Sequence, residues 1–164
     1  MKNQMKLIIG LCVSAAVFLV GCGGGGSDAD TSAEYTDDGR RIIEVQGNDQ
    51  MRFNVSEIRV NAGEPLQVTF HNVGRMPKES MGHNWVLFES MPDSDLNSIA
   101  MQAARRSPDY LPEDRSSIIA HTDILGPGES ETIEFDAPSE PGTYVFACTF
   151  PGHFAIMKGN LIVE

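Results

Sequence analysis

The stretch from Tyr144 to Gly159, Y-V-F-A-C-T-F-P-G-H-F-A-I-M-K-G, constrains this chain more than any other. Tyr144, Phe146 and Cys148 alternate with Val145 and Ala147, the period of a half-buried strand. Pro151-Gly152 then sets a turn. A strand closing on Cys148, followed by a short loop, brings His153 and Met157 back toward the thiol in the spacing C-x4-H-x3-M. Any fold for this chain must let those three side chains converge. Taken singly, a cysteine or a methionine is ordinary core filler, and a histidine an ordinary surface residue. Taken together, a thiolate, an imidazole and a thioether suit copper cycling between its two oxidation states. The set needs a second imidazole, and His83 in M-G-H-N-W-V-L is the donor the sequence offers.

From Arg40 onward the pattern is β. Leu66, Val68 and Phe70 alternate with Gln67, Thr69 and His71, which reads as a half-buried strand. Further strands are expected at Ile42–Val45, Met51–Asn54, Glu57–Val60, Asn84–Glu89, Ser117–His121, Glu131–Phe135, Gly142–Cys148 and Gly159–Val163. Asn61-Ala62-Gly63, Gly126-Pro127-Gly128 and Glu140-Pro141-Gly142 supply turns between them. Short strands with such punctuation predict an all-β, two-sheet sandwich. One helix interrupts it. Leu96, Ile99, Ala100 and Ala103 share a face, Ser94 is the expected N-cap, Asp95 favours the positive helix start, and Pro108 is the expected stop.

The amino-terminal quarter reads differently. Lys2 and Lys6 precede an apolar run, Leu7–Val20, that is short for a membrane span and is followed by small residues. Residues 1–21 therefore read as an export signal. Leu19-Val20-Gly21-Cys22 resembles the bacterial lipoprotein signature, in which the cysteine is lipidated and becomes the first mature residue. Residues 22–39, beginning G-G-G-G-S after Cys22 and acidic beyond, read as a flexible linker, with the folded domain at 40–164. On this reading Cys12 leaves with the signal, Cys22 takes lipid, and Cys148 is the only thiol left in the fold. An unpaired thiol in an oxidising compartment is a liability unless a metal or deep burial protects it. Removing Lys2 and Lys6 leaves 10 basic against 23 acidic residues, a net charge of −13. That balance disfavours nucleic acid and anionic lipid surfaces as direct partners.

With these residues in view, the chain from Ile42 to Val163 resembles the azurin family of cupredoxins, small blue copper proteins. The resemblance is carried by Q-G-N-D-Q-M at Gln46–Met51, M-G-H-N-W-V-L at Met81–Leu87, I-A-H-T at Ile119–Thr122, C-T-F-P-G-H from Cys148, and M-K-G at Met157–Gly159. It implies a Greek-key sandwich of eight or so strands with the copper at one end. It implies His83, Cys148 and His153 as equatorial ligands, Met157 as a long axial ligand and the Gly82 carbonyl opposite it. Asn84 and the Phe150 backbone would hydrogen-bond near the thiolate and brace the loop, and Trp85 would be a buried core indole. His71 and His121 match family histidines that do not bind copper; the first is expected as a core imidazole, with a pH-dependent adjustment of the potential as the alternative, and the second at the surface. The disulfide usual in azurins is absent, since no cysteine stands near Arg41 or Glu64. Phe154 stands where the family commonly has a small residue.

The resemblance further implies single-electron transfer between redox protein partners such as cytochromes or copper enzymes. An apolar docking patch of Met51, Met76, Met81, Pro151 and Phe154, with Phe150, would surround His153. The expected location is the periplasmic face of a bacterial membrane, lipid-anchored. Gly23 after the lipidated cysteine points to the outer membrane. An enzyme using a second copper centre would need further histidines, and of the four in the chain two are already assigned. A periplasmic copper store or chaperone is the alternative binding function, but such proteins favour exposed, Met- or Cys-rich Cu(I) sites. A single thiolate with a thioether fits zinc poorly.

Overall fold

The computed structural model describes residues 33–164. The signal, Cys22 and most of the linker lie outside the described residues. Nine strands and two helices follow in order: β1 (Arg41–Asn48), β2 (Arg52–Phe53), β3 (Glu57–Val60), β4 (Pro65–Asn72), α1 (Lys78–Met81), β5 (Val86–Phe88), α2 (Asp93–Ala103), β6 (Ile118–His121), β7 (Ser130–Asp136), β8 (Gly142–Ala147) and β9 (Lys158–Val163). The strands form two sheets, β2-β1-β4-β7 and β3-β9-β8-β5-β6. β1 runs parallel to β4, and β3 parallel to β9, so the chain crosses between sheets as a Greek-key sandwich requires.

Alternation decides which residues face inward. In β4, Leu66, Val68 and Phe70 are buried while Gln67, Thr69 and His71 are half-exposed. Facing residues from the second sheet, Leu87, Phe146 and Leu161, complete the core with Trp85 and Val45. Trp85 stacks on Phe146 at 5.6 Å between ring centroids, and Phe53 meets Phe146 edge-on at 5.5 Å. The Phe146 ring has space because its ladder partner is Gly159. A Cβ on Gly159 would stand 2.3 Å from Phe146 Cζ and 2.8 Å from the Ser56 carbonyl oxygen. β5 breaks the alternation: Val86, Leu87 and Phe88 are all buried. The reason is α2, whose Leu96 joins Leu111, Ala147, Val86 and Phe88 in a second cluster on the outer face of that sheet.

Several expectations need correction. The inserted helix is α2, and among the described residues one further helical turn, α1, accompanies it. α1 spans four residues, too few for a periodic pattern to reveal. Ser94 does not cap α2. Pro92 does, with φ −59° and no side-chain hydrogen bond, and its carbonyl receives the Asp95 and Leu96 amides at 3.0 and 3.1 Å. The helix ends at Ala103, well before Pro108, as Arg105 and Arg106 donate only three residues back. His71 is not a core imidazole. It lies on the outer face of β4 and pairs with Glu44 of the neighbouring strand.

Tyr35 bridges to Arg41, and the Ile42 amide donates to the Glu34 carbonyl, so the chain just before β1 folds back on it. Arg41 Nη1 lies 3.8 Å from Glu64 Oε2 and donates to the Arg59 carbonyl at 2.8 Å. A largely buried ion pair thus ties the start of β1 to the β3–β4 turn, where the family resemblance would have placed a disulfide.

Gly159→Ala is expected to lower stability by about 1–3 kcal/mol, since the added methyl must displace an aromatic ring and a carbonyl. Denaturant unfolding checks this, and an unchanged midpoint would contradict it.

Candidate metal centre

β8 and β9 are antiparallel, and their ladder continues one step past Ala147 and Lys158. There the Cys148 amide donates to the Met157 carbonyl at 3.0 Å. That bond closes a loop whose interior is also bonded. The His153 amide donates to the Phe150 carbonyl at 3.0 Å, and the Met157 amide to the His153 carbonyl at 2.8 Å. Gly152 takes φ +84°, a left-handed value that a side chain would strain, and so reverses the chain before His153. The C-x4-H-x3-M spacing is therefore a hairpin loop that carries its donors inward.

His83 comes from a different part of the chain. Gly82 ends α1 and is buried. His83 then pairs with Leu125, donating at 3.1 Å and accepting at 2.7 Å. This exchange holds the imidazole against the β8–β9 loop. His83 Nδ1 lies 3.1 Å from His153 Nδ1, and Cys148 Sγ lies 3.9 and 3.5 Å from those two nitrogens. Their donor atoms all fall within 4.8 Å of one another, the one such cluster found among the described residues. Met157 is fully buried within the same core cluster as Cys148.

Burial sets the electrostatics. It pushes the Cys148 thiol up to about 12, against the amides of Asn84 and Phe150, which face the sulfur and pull the other way. It also drives His153 down to about 4, with His83 adding to the effect. His83 is lowered by burial, partly offset by the Asp49 charge and the Asn48 carbonyl. Burial thus favours a protonated thiol and neutral imidazoles. Its donor set fits copper: two nitrogens and one sulfur converge without a carboxylate or a solvated face. When bound, copper supplies a one-electron couple.

The Asn84 side chain donates to Thr149 Oγ1 and accepts from the Thr149 amide, both at 2.8 Å. Thr149 was not legible as a site residue, although its place directly after Cys148 is a positional signal. Trp85 is fully buried. His121 is half-buried beside Arg115, at 3.2 Å, away from the cluster.

The patch residues fare unevenly. Pro151 is exposed in the loop, and Met76 is 42% exposed. Met51 and Met81 are half-buried, with Met51 packed on the core. Phe150 is buried, its ring between Tyr110 and His153. Phe154 turns toward α2's cluster, edge-on to Phe88, with Lys158 over its face. Val73 and Ile156, 51% and 49% exposed, are apolar residues that the sequence reading passed over.

Comparisons with known proteins agree with this geometry. The family model described as copper binding proteins, plastocyanin/azurin family, matches residues 41–164. An azurin of Pseudomonas aeruginosa is 40% identical over 127 residues, covering 74% of this chain and 84% of that protein. Auracyanin-A of Chloroflexus aurantiacus is 31% identical over 168 aligned positions that span both chains. The crystal structure of dithionite-reduced auracyanin from Roseiflexus castenholzii superposes with a TM-score of 0.68. It is 39% identical, over 75% of this chain and 96% of that one.

The metal-free protein should be most stable between the two titrating ranges. Between pH 6.5 and about 4 the unfolded chain binds more protons at His153 than the folded one, so stability falls as pH drops through that window. Between pH 9.0 and about 12 the unfolded chain loses the Cys148 proton first, so stability falls as pH rises. Unfolding midpoints across pH check both limbs. A His83→Gln, His153→Gln double variant that kept the whole acid-limb loss would contradict the first. The match across the entire β-domain, together with the converging His83, Cys148 and His153, makes this chain a member of the plastocyanin/azurin family of copper-binding proteins.

Proposed function

We propose that this chain is a blue copper electron carrier, not an enzyme, holding one copper through His83 Nδ1, His153 Nδ1 and the Cys148 thiolate. Met157 and the Gly82 carbonyl would complete the set that holds it, the thioether as a weak donor. The observation that carries the reading is the buried convergence of two imidazoles and one thiol contributed by two separate loops. Those loops are braced by backbone bonds, so the same donors serve both oxidation states with little movement. Asn84 and Phe150 point amides at the sulfur and moderate its donation to the metal. Burial of all three donors excludes water and supports a carrier over an exchangeable copper store.

Electrons enter and leave through the end that bears His153. Met76, Val73, Pro151 and Ile156 are exposed apolar loop residues, and Met51, Met81 and Phe154 are half-buried. Methionines with aromatics suit transient contact with redox proteins, cytochromes or copper enzymes. The mature chain is lipidated at Cys22 and tethered by its glycine-rich linker to the periplasmic face of a membrane, with Gly23 favouring the outer one. Among the described residues no helix is long and apolar enough to cross a membrane.

Copper-loaded protein should show an intense visible thiolate-to-copper band that reduction bleaches and Cys148→Ser abolishes. A colourless copper-loaded wild type would sink the proposal. Met157→Leu should stay blue and raise the potential, because a weak axial thioether favours the oxidised metal; a fall would contradict that role. Met81→Lys should slow electron transfer to a partner while leaving the spectrum intact, and an unchanged rate would remove Met81 from the port. Acyl-chain labelling of the full chain should be lost in Cys22→Ala, and persistent labelling would refute the anchor.

A further inference from the structure

Tyr110 follows α2, outside every segment so far assigned to the centre. Its backbone sits at φ +51°, a left-handed value that costs a non-glycine residue energy and persists only where its surroundings fix it. Three contacts do so. Its amide donates to the Arg106 carbonyl at 2.8 Å. Its ring meets Phe150 edge-on at 5.0 Å. Its carbonyl receives the Thr149 hydroxyl at 2.6 Å.

The last contact has a directional consequence. A backbone carbonyl can only accept, so the Thr149 hydroxyl proton is committed to Tyr110. Thr149 Oγ1 then has only lone pairs left to offer Asn84, whose Nδ2 donates to it at 2.8 Å. The Asn84 amide is thereby fixed in one orientation, with Oδ1 toward the Thr149 backbone amide at 2.8 Å. Asn84 and Thr149 are both fully buried, so no water competes. Without the carbonyl, the hydroxyl would be free to turn and donate to Asn84 Oδ1, in competition with the Thr149 amide. Residues 84 and 149 flank the thiol from two loops, and the amides of Asn84 and Phe150 face its sulfur.

We propose that Tyr110 is a positioning residue for the thiolate, its left-handed backbone latching the segment after α2 to the Cys148 loop through Thr149 and Asn84. The inserted segment is thus part of the frame that aims two N–H groups at Cys148 Sγ. The effect on the metal rests on the proposed copper ligation by Cys148; the effect on the metal-free protein does not, so the two fail separately.

The test compares substitutions that keep or lose the latch. Tyr110→Gly and Tyr110→Val both remove the ring, but glycine accepts the left-handed backbone and a β-branched residue does not. Thr149→Ser keeps the hydroxyl and Thr149→Val deletes it. In the metal-free protein, hydrogen exchange at the Asn84 and Phe150 amides should speed up at least about tenfold in Tyr110→Val and Thr149→Val, the loss expected for one buried hydrogen bond. In Tyr110→Gly and Thr149→Ser it should stay near wild type. In the copper-loaded protein the visible band and the reduction potential should shift in the first pair and not in the second. Equal effects of Gly and Val at position 110 would overturn the proposal in favour of ring packing. Wild-type exchange in Thr149→Val would overturn it outright. Should Tyr110→Val fail to fold, the Thr149 pair still decides.

Discussion

The hydrogen bond from the Cys148 amide to the Met157 carbonyl is the contact on which the centre depends. It extends the β8–β9 ladder by one step and converts a length of chain into a closed loop. Everything beyond it follows from closure. His153 lies within the loop, Gly152 reverses the chain before it, and Met157 returns under Cys148. A loop held at both ends by a sheet inherits the rigidity of the sandwich, and so does any donor it carries.

The sandwich in turn explains the cost of the site. Placing a thiol in the core and two imidazoles beside it, one against Phe150, removes them from water, and each responds by preferring its neutral form. A bound cation reverses that preference for the thiol, so metal binding and proton release are linked. The hydrogen bonds from Asn84 and Phe150 toward Cys148 are the fold's own partial answer, present before any metal.

Much of this was legible in the sequence. Cys148, His153 and Met157 announced themselves by spacing, and period-2 alternation in β4 placed Leu66, Val68 and Phe70 inside correctly. That same alternation put His71 outside, against the core imidazole expected of it. Other features were hidden for physical reasons. α1 is a single turn, shorter than any periodic signal, and Pro92 displaced Ser94 because its fixed φ starts the helix sooner. Phe154 looked like a surface residue but turned toward α2, since the second cluster is assembled from segments far apart in the chain. Tyr110 carried no motif at all. Its contribution is a backbone carbonyl, which every residue type possesses.

A preformed centre is tested most directly by crystal structures of the metal-free, Cu(I) and Cu(II) forms of the folded domain. The Cys148 sulfur and the Nδ1 atoms of His83 and His153 should agree among the three within about 0.5 Å, the tolerance of a site held by its supporting contacts. A metal-free form in which His153 swings out, or in which the loop between β8 and β9 moves by more than about 2 Å, would show that the metal builds the site and the fold does not.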